Sequence, residues 1–509
     1  MPGQRLSLEA VGGRFLAGVQ SARSWPWVAM FAAALALATR LPHVLSSSFP
    51  LGDGGLFYLM ARGLAESFPR LPLEVGYGAA RVPFAYPPLG FYAAAVVDRL
   101  GPWDMLQVMR FLPLAFSVLS AAAAWPLLRS LAPWPRSLAA LVVFVLLPRS
   151  WNWEIVGGGI TRAPGLLFLL LSLNESVRLA RGQGGRMSAL WAALAFWSHP
   201  EMGLMAVAHP VFFAVALAPP GTRWRALTRA AVVSAAAVAT TVPWWAYVSV
   251  TYGADTWLGA ATGSRYGPLA TLSLMLFPFF YGEPGVPWLA ILGLAGVVFM
   301  ALRREPLPLA WLVLLFLLDP RKAPTLAALP LSLGASWAAL TMASRAQRLK
   351  PQAASVTLAV LVCVGATQAL LADRSLVSPL ETLSPEDRSA MEWLRDHTPA
   401  DARVLTLSGL HWARDAASEW LPALSGRDSV LTVQGSEWLG RDQFLAKQEE
   451  HADVQRCVRE GECSGGLLAA RYRADYVFVY SRCRCERARE GLSPLLGDVL
   501  YVPTADGAP

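Results

Sequence analysis

Charge is what this sequence has least of. Aspartate, glutamate, lysine and arginine supply 15% of its 509 residues, where soluble domains carry about a quarter. Hydrophobic residues supply 55%. No soluble fold has enough polar surface to cover such a chain, so a globular cytosolic protein is excluded and an integral membrane protein is expected. Histidine and cysteine are also sparse, at six and five. A protein metal site needs three or more ligands, and the one local pairing of ligand-type residues near the apolar spans is His199 with Glu201. Internal repeats and low-complexity tracts are lacking, which counts against transporter architectures built from repeated halves. The net charge of +8 is no sign of nucleic-acid binding. Its arginines fall in short clusters between apolar runs, the pattern that encodes membrane topology.

Eleven apolar segments read as crossings: Trp25–Leu45, Leu106–Ser130, Arg136–Ser150, Thr161–Ala180, Met187–His199, Met202–Pro219, Ala226–Val250, Val286–Leu302, Leu307–Asp319, Ala323–Ala343 and Ala353–Leu371. Several fall short of the roughly twenty residues that a bilayer asks for. With the N-terminus inside, the inner loops hold Arg129/Arg136, Arg178/Arg181/Arg186, Arg223/Arg225/Arg229, Arg303/Arg304 and Arg345/Arg348/Lys350. Every inner loop is then basic. Fusing Met187–Pro219 into one span would put three later basic clusters outside, so "WSHPEMG" is expected to turn on the outer face, with Pro200 breaking the helix. Residues 1–24, with Arg5, Arg14 and Arg23, read as a cytoplasmic N-terminus before an uncleaved first span; a cleaved signal peptide is the rival reading. Pro268–Tyr281 is apolar without a matching charge cluster and reads as interfacial or re-entrant.

The predicted organisation is a transmembrane domain over residues 25–375, with a large outer loop at 46–105, and an extracytoplasmic α/β domain over residues 382–509. In the latter, "SPEDRSAMEWLRDH" is a helix with acids in its first turn, and "ARVLTLSG" and "ADYVFVYS" are buried-strand patterns. Cys363 falls in the last span as a packing residue. Cys457, Cys463, Cys483 and Cys485 lie in the outer domain and read as two disulfides. Crosswise bonds from Cys483 and Cys485 to Cys457 and Cys463 are expected over a Cys483–Cys485 bond. The rival is a four-thiolate zinc site, whose spacing does not match common zinc patterns.

Polar residues at the outer ends of spans carry the functional reading, because ionisable groups there are costly. In "FPLGDGGLFYLMARGLAE", Asp53 sits on a glycine-flanked turn and opens an amphipathic helix. It is expected both to cap that helix and to remain approachable, while Leu56, Met60 and Leu64 lay one face on the membrane surface. In "VPFAYPPLGFYAA", the double proline stiffens the return to the membrane, and Tyr86, Phe91 and Tyr92 suit an aromatic belt. "RSWNWEIVGGGITRAPG" brings Glu154, three glycines and Arg162 to the outer side. "SHPEMG" brings His199 and Glu201, suited to proton handling or hydrogen bonding. "LLDPRKAPT" places Asp319, Arg321 and Lys322 where cations are under-represented, which suggests a bound anion such as a lipid phosphate. Arg81 and Arg265 are weaker sites of the same type.

This arrangement resembles the GT-C glycosyltransferases, polytopic enzymes that use polyprenyl-phosphate sugars, and among them the protein O-mannosyltransferases and aminoarabinose transferases. The resemblance rests on Asp53 in the first outer loop, on "YPPLGFY" before the second span, on Arg110 in "MLQVMRFLPLAF", on "GGGITRAPGLLFLLLSL" at the start of the fourth span, and on a soluble α/β domain after the last. Where relatives show two acids in the first loop, Asp53 is followed by glycine; where they place an acid near the fourth span, this chain has Thr161-Arg162, with Glu154 displaced. No WWDYG-type segment is present.

The resemblance implies an inverting transfer to a protein, glycolipid or polysaccharide acceptor on the outer face of an inner membrane. Asp53, with Glu154, is then catalytic, Asp53 taking the acceptor proton. Arg162, Arg321 and Lys322 bind the donor phosphate. Tyr86, His199 and Glu201 line the substrate pocket. A divalent cation is admitted as a cofactor, although Asp53 alone is a thin site for Mg²⁺ or Mn²⁺. A transporter or flippase, and a non-catalytic scaffold of the same architecture, are the alternative classes.

Overall fold

Each of the eleven apolar segments folds around a helix. A computed structural model of the chain describes residues 25–262, 267–276, 283–375 and 378–504. The N-terminal arginines, Arg265 and the end of the Pro268–Tyr281 segment lie outside the described residues. Helices α1 (Trp25–Leu45), α2 (Gly55–Ser67), α3 (Leu89–Leu100), α4 (Met105–Leu131), α5 (Arg136–Leu146), α6 (Gly159–Ala180), α7 (Ser188–Ser198), α8 (Pro200–Leu217) and α9 (Arg223–Tyr252) come first. Then follow α10 (Asp255–Thr262), α11 (Pro268–Leu276), α12 (Trp288–Leu302), α13 (Leu307–Leu318), α14 (Ala328–Leu349) and α15 (Ala353–Leu370). Seven of the described helices are long and apolar enough to cross a bilayer. Four more, α5, α7, α12 and α13, are apolar but only 11 to 15 residues long. At about 1.5 Å per residue they fall short of a hydrocarbon core of about 30 Å.

Small residues let helices approach closely. Gly293 and Gly296 of α12 face Leu331 and Gly334 of α14, backbone against backbone, as expected where close packing rather than water expulsion holds helices together. Apolar side chains such as Phe31, Leu119, Val242 and Val360 remain exposed around the bundle, on the side that lipid covers. Cys363 is exposed on α15, so it faces outward and is not the packing residue that its place in a span suggested.

The first loop folds as α2, a hairpin of β1 (Glu74–Tyr77) and β2 (Ala80–Pro83), and α3. The apolar face of α2 does not lie on the membrane. Leu56, Met60 and Leu64 are buried in a core shared with Phe91 of α3 and with Trp420, Leu421, Val477 and Phe478 of the C-terminal domain. A stripe that reads as lipid-facing has a protein partner some 350 residues away in sequence, and burial there removes the same apolar area from water. Phe91 and Tyr86 join that core as well, so this aromatic cluster is packing rather than an interfacial belt.

The C-terminal domain comprises α16 (Pro385–His397), β3 (Arg403–Leu407), α17 (Ala416–Ser425), β4 (Asp428–Ser429), α18 (Arg441–Glu460), α19 (Gly465–Tyr472), β5 (Tyr476–Val479), β6 (Leu492–Leu496) and β7 (Leu500–Pro503). Its sheet runs β4-β3-β5-β7-β6, parallel across β4, β3 and β5 and antiparallel beyond. Val404 pairs with Tyr476 and Leu407 with Val479, so both predicted strands lie side by side at its centre. The acids foreseen in the first turn of α16 include Asp387, which forms a capping box with Ser384.

Two disulfides are present, Cys457–Cys463 and Cys483–Cys485, with Cα–Cα separations of 5.5 and 5.2 Å. The crosswise pairing is therefore wrong. Residues two apart in extended chain project to the same side, and the bend after β5 brings Cys483 and Cys485 within the Cα range that a disulfide spans.

Candidate active site

The turn before α2 is shaped by glycine. Gly54 has φ of 134°, a conformation that residues with a Cβ avoid, and it packs on the Gly157–Gly158 backbone. This turn points Asp53 away from its own helix. The N-cap of α2 is Gly54, with no side-chain cap from the adjoining sequence. The expectation that Asp53 caps α2 is thus corrected. Its carboxylate turns to the start of α6, where the Gly158 N–H donates to Oδ1 at 3.1 Å.

Arg162, one turn into α6, completes the arrangement. Its Nη2 donates to Asp53 Oδ1 at 2.7 Å and Oδ2 at 2.9 Å, and its Nη1 donates to Oδ2 at 3.0 Å. A carboxylate has about four acceptor positions, and Asp53 uses them on Arg162 and Gly158. Arg162 is held in turn by donating from Nε to the Trp153 carbonyl at 3.0 Å, with its guanidinium over the Trp153 ring. The Asp53 side chain keeps 24% of its surface exposed. Gly158 is required by the pair: a Cβ there would stand 2.5 Å from Arg162 Nη2 and 2.8 Å from Asp53 Oδ1.

A chain of contacts leads from this pair to the remaining polar residues. Thr161 Oγ1 donates to Tyr86 Oη at 3.4 Å. The Tyr86 ring meets His199 edge-on at 6.0 Å and Trp438 of the C-terminal domain at 5.7 Å. His199 forms the break between α7 and α8 foreseen at Pro200. Glu201, in the first turn of α8, gathers His199 Nε2 at 3.9 Å, Arg321 Nη1 at 3.8 Å and Lys322 Nζ at 3.8 Å. The two cations are set by Asp319, whose Oδ1 accepts from the N–H of both Arg321 and Lys322. Burial pushes the Lys322 ammonium down, opposed by Glu201 and Glu154, and burial pushes the Tyr86 phenol up. Arg81 stands apart, exposed on the hairpin beside Glu74.

Glu154 is fully buried, and neither carboxylate oxygen accepts a hydrogen bond among the described residues. Burial pushes its carboxyl up, against the pull of Lys322, Arg162 and Arg40. A run of contacts links Asp53 and Arg162, through the adjoining Thr161, to Tyr86, His199, Glu201, Arg321 and Lys322, whereas Glu154 is fully buried without a hydrogen bond among the described residues. The donor set does not suit a divalent cation. Asp53 has spent its acceptor positions on a cation, Glu154 is surrounded by cations, and among the described residues no three His, Cys, Asp or Glu side chains come together.

Three contributors were not legible. Trp153 holds Arg162 through its backbone carbonyl, which carries no sequence signal. Glu419 of α17 accepts the Gly54 N–H at 2.8 Å, and Trp420 Nε1 donates to the Gly52 carbonyl at 3.0 Å. In sequence, Glu419 reads only as an acid in the first turn of a helix.

The architecture, a helical bundle whose first loop is roofed by a C-terminal α/β domain, is the fold of the GT-C glycosyltransferases. Among the solved structures that share it are two with a bound polyprenyl phosphate. One is the archaeal oligosaccharyltransferase AglB from Archaeoglobus fulgidus, in complex with an inhibitory peptide and a dolichol-phosphate, at a TM-score of 0.54 and 13% identity, covering 89% of this chain and 69% of AglB. The other is ArnT from Cupriavidus metallidurans bound to undecaprenyl phosphate, at a TM-score of 0.52 and 14% identity, covering 96% of this chain and all of ArnT. The A. fulgidus enzyme has also been solved with Zn and sulfate. No family model matches the chain, and no curated protein matches it in sequence.

Proposed function

We propose that the protein is an inverting glycosyltransferase that moves a sugar from a polyprenyl-phosphate donor to an acceptor at the outer face of an inner membrane. In this reading the chain crosses eleven times from a cytoplasmic N-terminus, and the 382–509 domain is extracytoplasmic. The observation that carries the proposal is the partly exposed Asp53 carboxylate held by Arg162, with Arg321 and Lys322 connected to it through Tyr86 and Glu201. The polyprenyl phosphates bound by AglB and ArnT give that cation set a ligand of matching charge.

The chemistry needs a base and an anion clamp. The acceptor hydroxyl or amine attacks the anomeric carbon, its proton passes to Asp53, and the bond from that carbon to the phosphate oxygen breaks with its electron pair leaving on the polyprenyl phosphate. Negative charge on that oxygen grows as the bond lengthens, so cations aimed at it act most strongly in the transition state. The Asp53–Arg162 pair adds an order of events. With its acceptor positions occupied, Asp53 cannot take a proton. A donor phosphate that draws the Arg162 fork to itself frees a carboxylate edge at the moment the donor is seated. The buried Glu154 is a counter-charge that holds Arg162, Lys322 and Arg40 in place.

The test is sugar transfer in detergent by the purified full chain, supplied with lipid-linked donors and candidate acceptors. Asp53→Asn is expected to lower turnover by at least about 10²-fold, the low end for loss of a general base, while the chain still inserts and folds. Wild-type turnover in that variant would overturn the assignment, and donor movement across the bilayer of reconstituted vesicles, without transfer in detergent, would place the protein among flippases.

A further inference from the structure

The helix α17 grips the first loop with two consecutive residues. Asp415 caps α17 by accepting the Ser418 N–H at 3.0 Å, which fixes the rotation of its first turn. That rotation points Glu419 and Trp420 at the loop. Glu419 Oε1 accepts the Gly54 N–H at 2.8 Å, across 365 positions of sequence. The Glu419 carbonyl accepts the Tyr77 hydroxyl, and Trp420 Nε1 reaches the Gly52 carbonyl. The residues immediately before and after Asp53 are thus both held by the C-terminal domain. Gly54 is the N-cap of α2, where a free amide needs a partner, and Glu419 supplies it. Asp53 and Glu419 also line one cavity of about 20 Å³, with Trp153, Glu381 and Arg414.

We infer that Glu419 is a positioning residue for Asp53: by accepting the Gly54 N–H it fixes the turn that aims the carboxylate, so that the C-terminal domain completes the catalytic site. This rests on the reading of Asp53 as the base. The role needs an acceptor oxygen at this spot and does not need a charge. Burial, and then the neighbouring Asp53 carboxylate, push the Glu419 carboxyl up to about 8, so at neutral pH it is a neutral acid and glutamine is its near-isostere. The groups that face it are Asp53 of the first loop, Arg162 of α6, Glu437 of the turn before α18, Tyr77 of β1, and Arg414 and Asp415 before α17. The Gly54 N–H favours the ionised carboxylate and the neighbouring Asp53 opposes it, so the contact is kept in either protonation state.

The experiment compares wild type, Glu419→Gln and Glu419→Ala as purified full chains. It measures transfer kinetics across pH and amide hydrogen exchange over residues 49–57. Glu419→Ala should lower kcat by about tenfold or more, since misplacing a reacting group by 1 Å can cost about 10²-fold. Donor KM should stay within about twofold, and exchange in the segment should rise. Glu419→Gln should keep kcat and its exchange protection across the pH range, because it still offers an acceptor oxygen to the Gly54 N–H. Should the alanine variant fail to fold, Glu419→Asp, one methylene too short to reach Gly54, takes its place. An alanine or aspartate variant with wild-type kcat and exchange overturns the inference, and so does a glutamine variant as impaired as alanine. If wild type transfers no sugar while exchange still rises in Glu419→Ala and not in Glu419→Gln, the base assignment has failed and the positioning contact stands.

Discussion

Asp53 and Arg162 are separated by 109 positions, yet each depends on the other for its state. A guanidinium that donates to both oxygens of one carboxylate has a planar fork geometry that an ammonium cannot copy. Arg162→Lys should therefore keep the charge and lose the fork. The expected cost is about 1.5–3 kcal/mol, the worth of a hydrogen bond to a charged group, or about 10- to 100-fold in kcat/KM, with the larger part in donor KM. Steady-state kinetics with varied donor checks it, and a variant within twofold of wild type would remove the fork from the mechanism. At this scale the sequence was informative about residue types. Asp53, Arg162, Tyr86, His199, Glu201, Arg321 and Lys322 stood out because arginine clusters oriented the spans and left these groups at the opposite ends. Their pairings were not legible, because side-chain partners are set by helix packing and not by spacing along the chain. Cations that looked available for an anion turn out to be shared with Glu201, and the carboxylate that looked like a cap is spent on Arg162.

Elements were read more reliably than their neighbours. Each predicted apolar segment holds a helix, and the two predicted strands pair in register at the sheet centre. The burial face of α2 was found from its period, but its partner was not, since lipid and a protein core select the same apolar stripe. The disulfides failed for a different reason: pairing depends on a bend after β5 that leaves no compositional mark. Cys457–Cys463 joins the end of α18 to the start of α19 across six positions. Closing so short a loop constrains the unfolded chain by about 2–3 kcal/mol. A Cys457→Ala/Cys463→Ala double variant should lose about that much stability in the C-terminal domain, with faster hydrogen exchange confined to α18 and α19 and unchanged exchange in α4 and α6. Loss spread evenly over the bundle would contradict the separate role given to this clasp.

At the scale of the whole molecule, the bundle and the C-terminal domain are joined by a core that includes parts of both, and titratable groups are buried at that junction. Glu437, beside Trp438 where it meets Tyr86, has one carboxylate oxygen without a hydrogen bond among the described residues. Burial pushes it up to about 7, as burial and Asp53 push Glu419 up to about 8. Both carboxyls stay protonated in the folded chain at pH values where the unfolded chain, near 4.5, has already released them. The folded state then binds more protons, so stability falls as pH rises through this window. His411, lowered by burial from 6.5, works the other way, because the unfolded chain binds its proton first, and its contribution is complete once pH passes 6.5. Of these three groups, only the two carboxyls still change the balance above about 6.5. The unfolding temperature in detergent should therefore drop by a few degrees from pH 6.5 to 8.5, and a Glu419→Gln/Glu437→Gln double variant should flatten much of that slope, with Glu419 giving the larger share because its carboxyl is raised further, since an amide keeps the packing and has no proton to lose. A slope that is unchanged in the double variant would mean that the junction is not the pH-sensitive part of the fold. A slope that flattens would tie the docking of the C-terminal domain, and with it the geometry around Asp53, to the protonation of carboxyls that never touch the substrate.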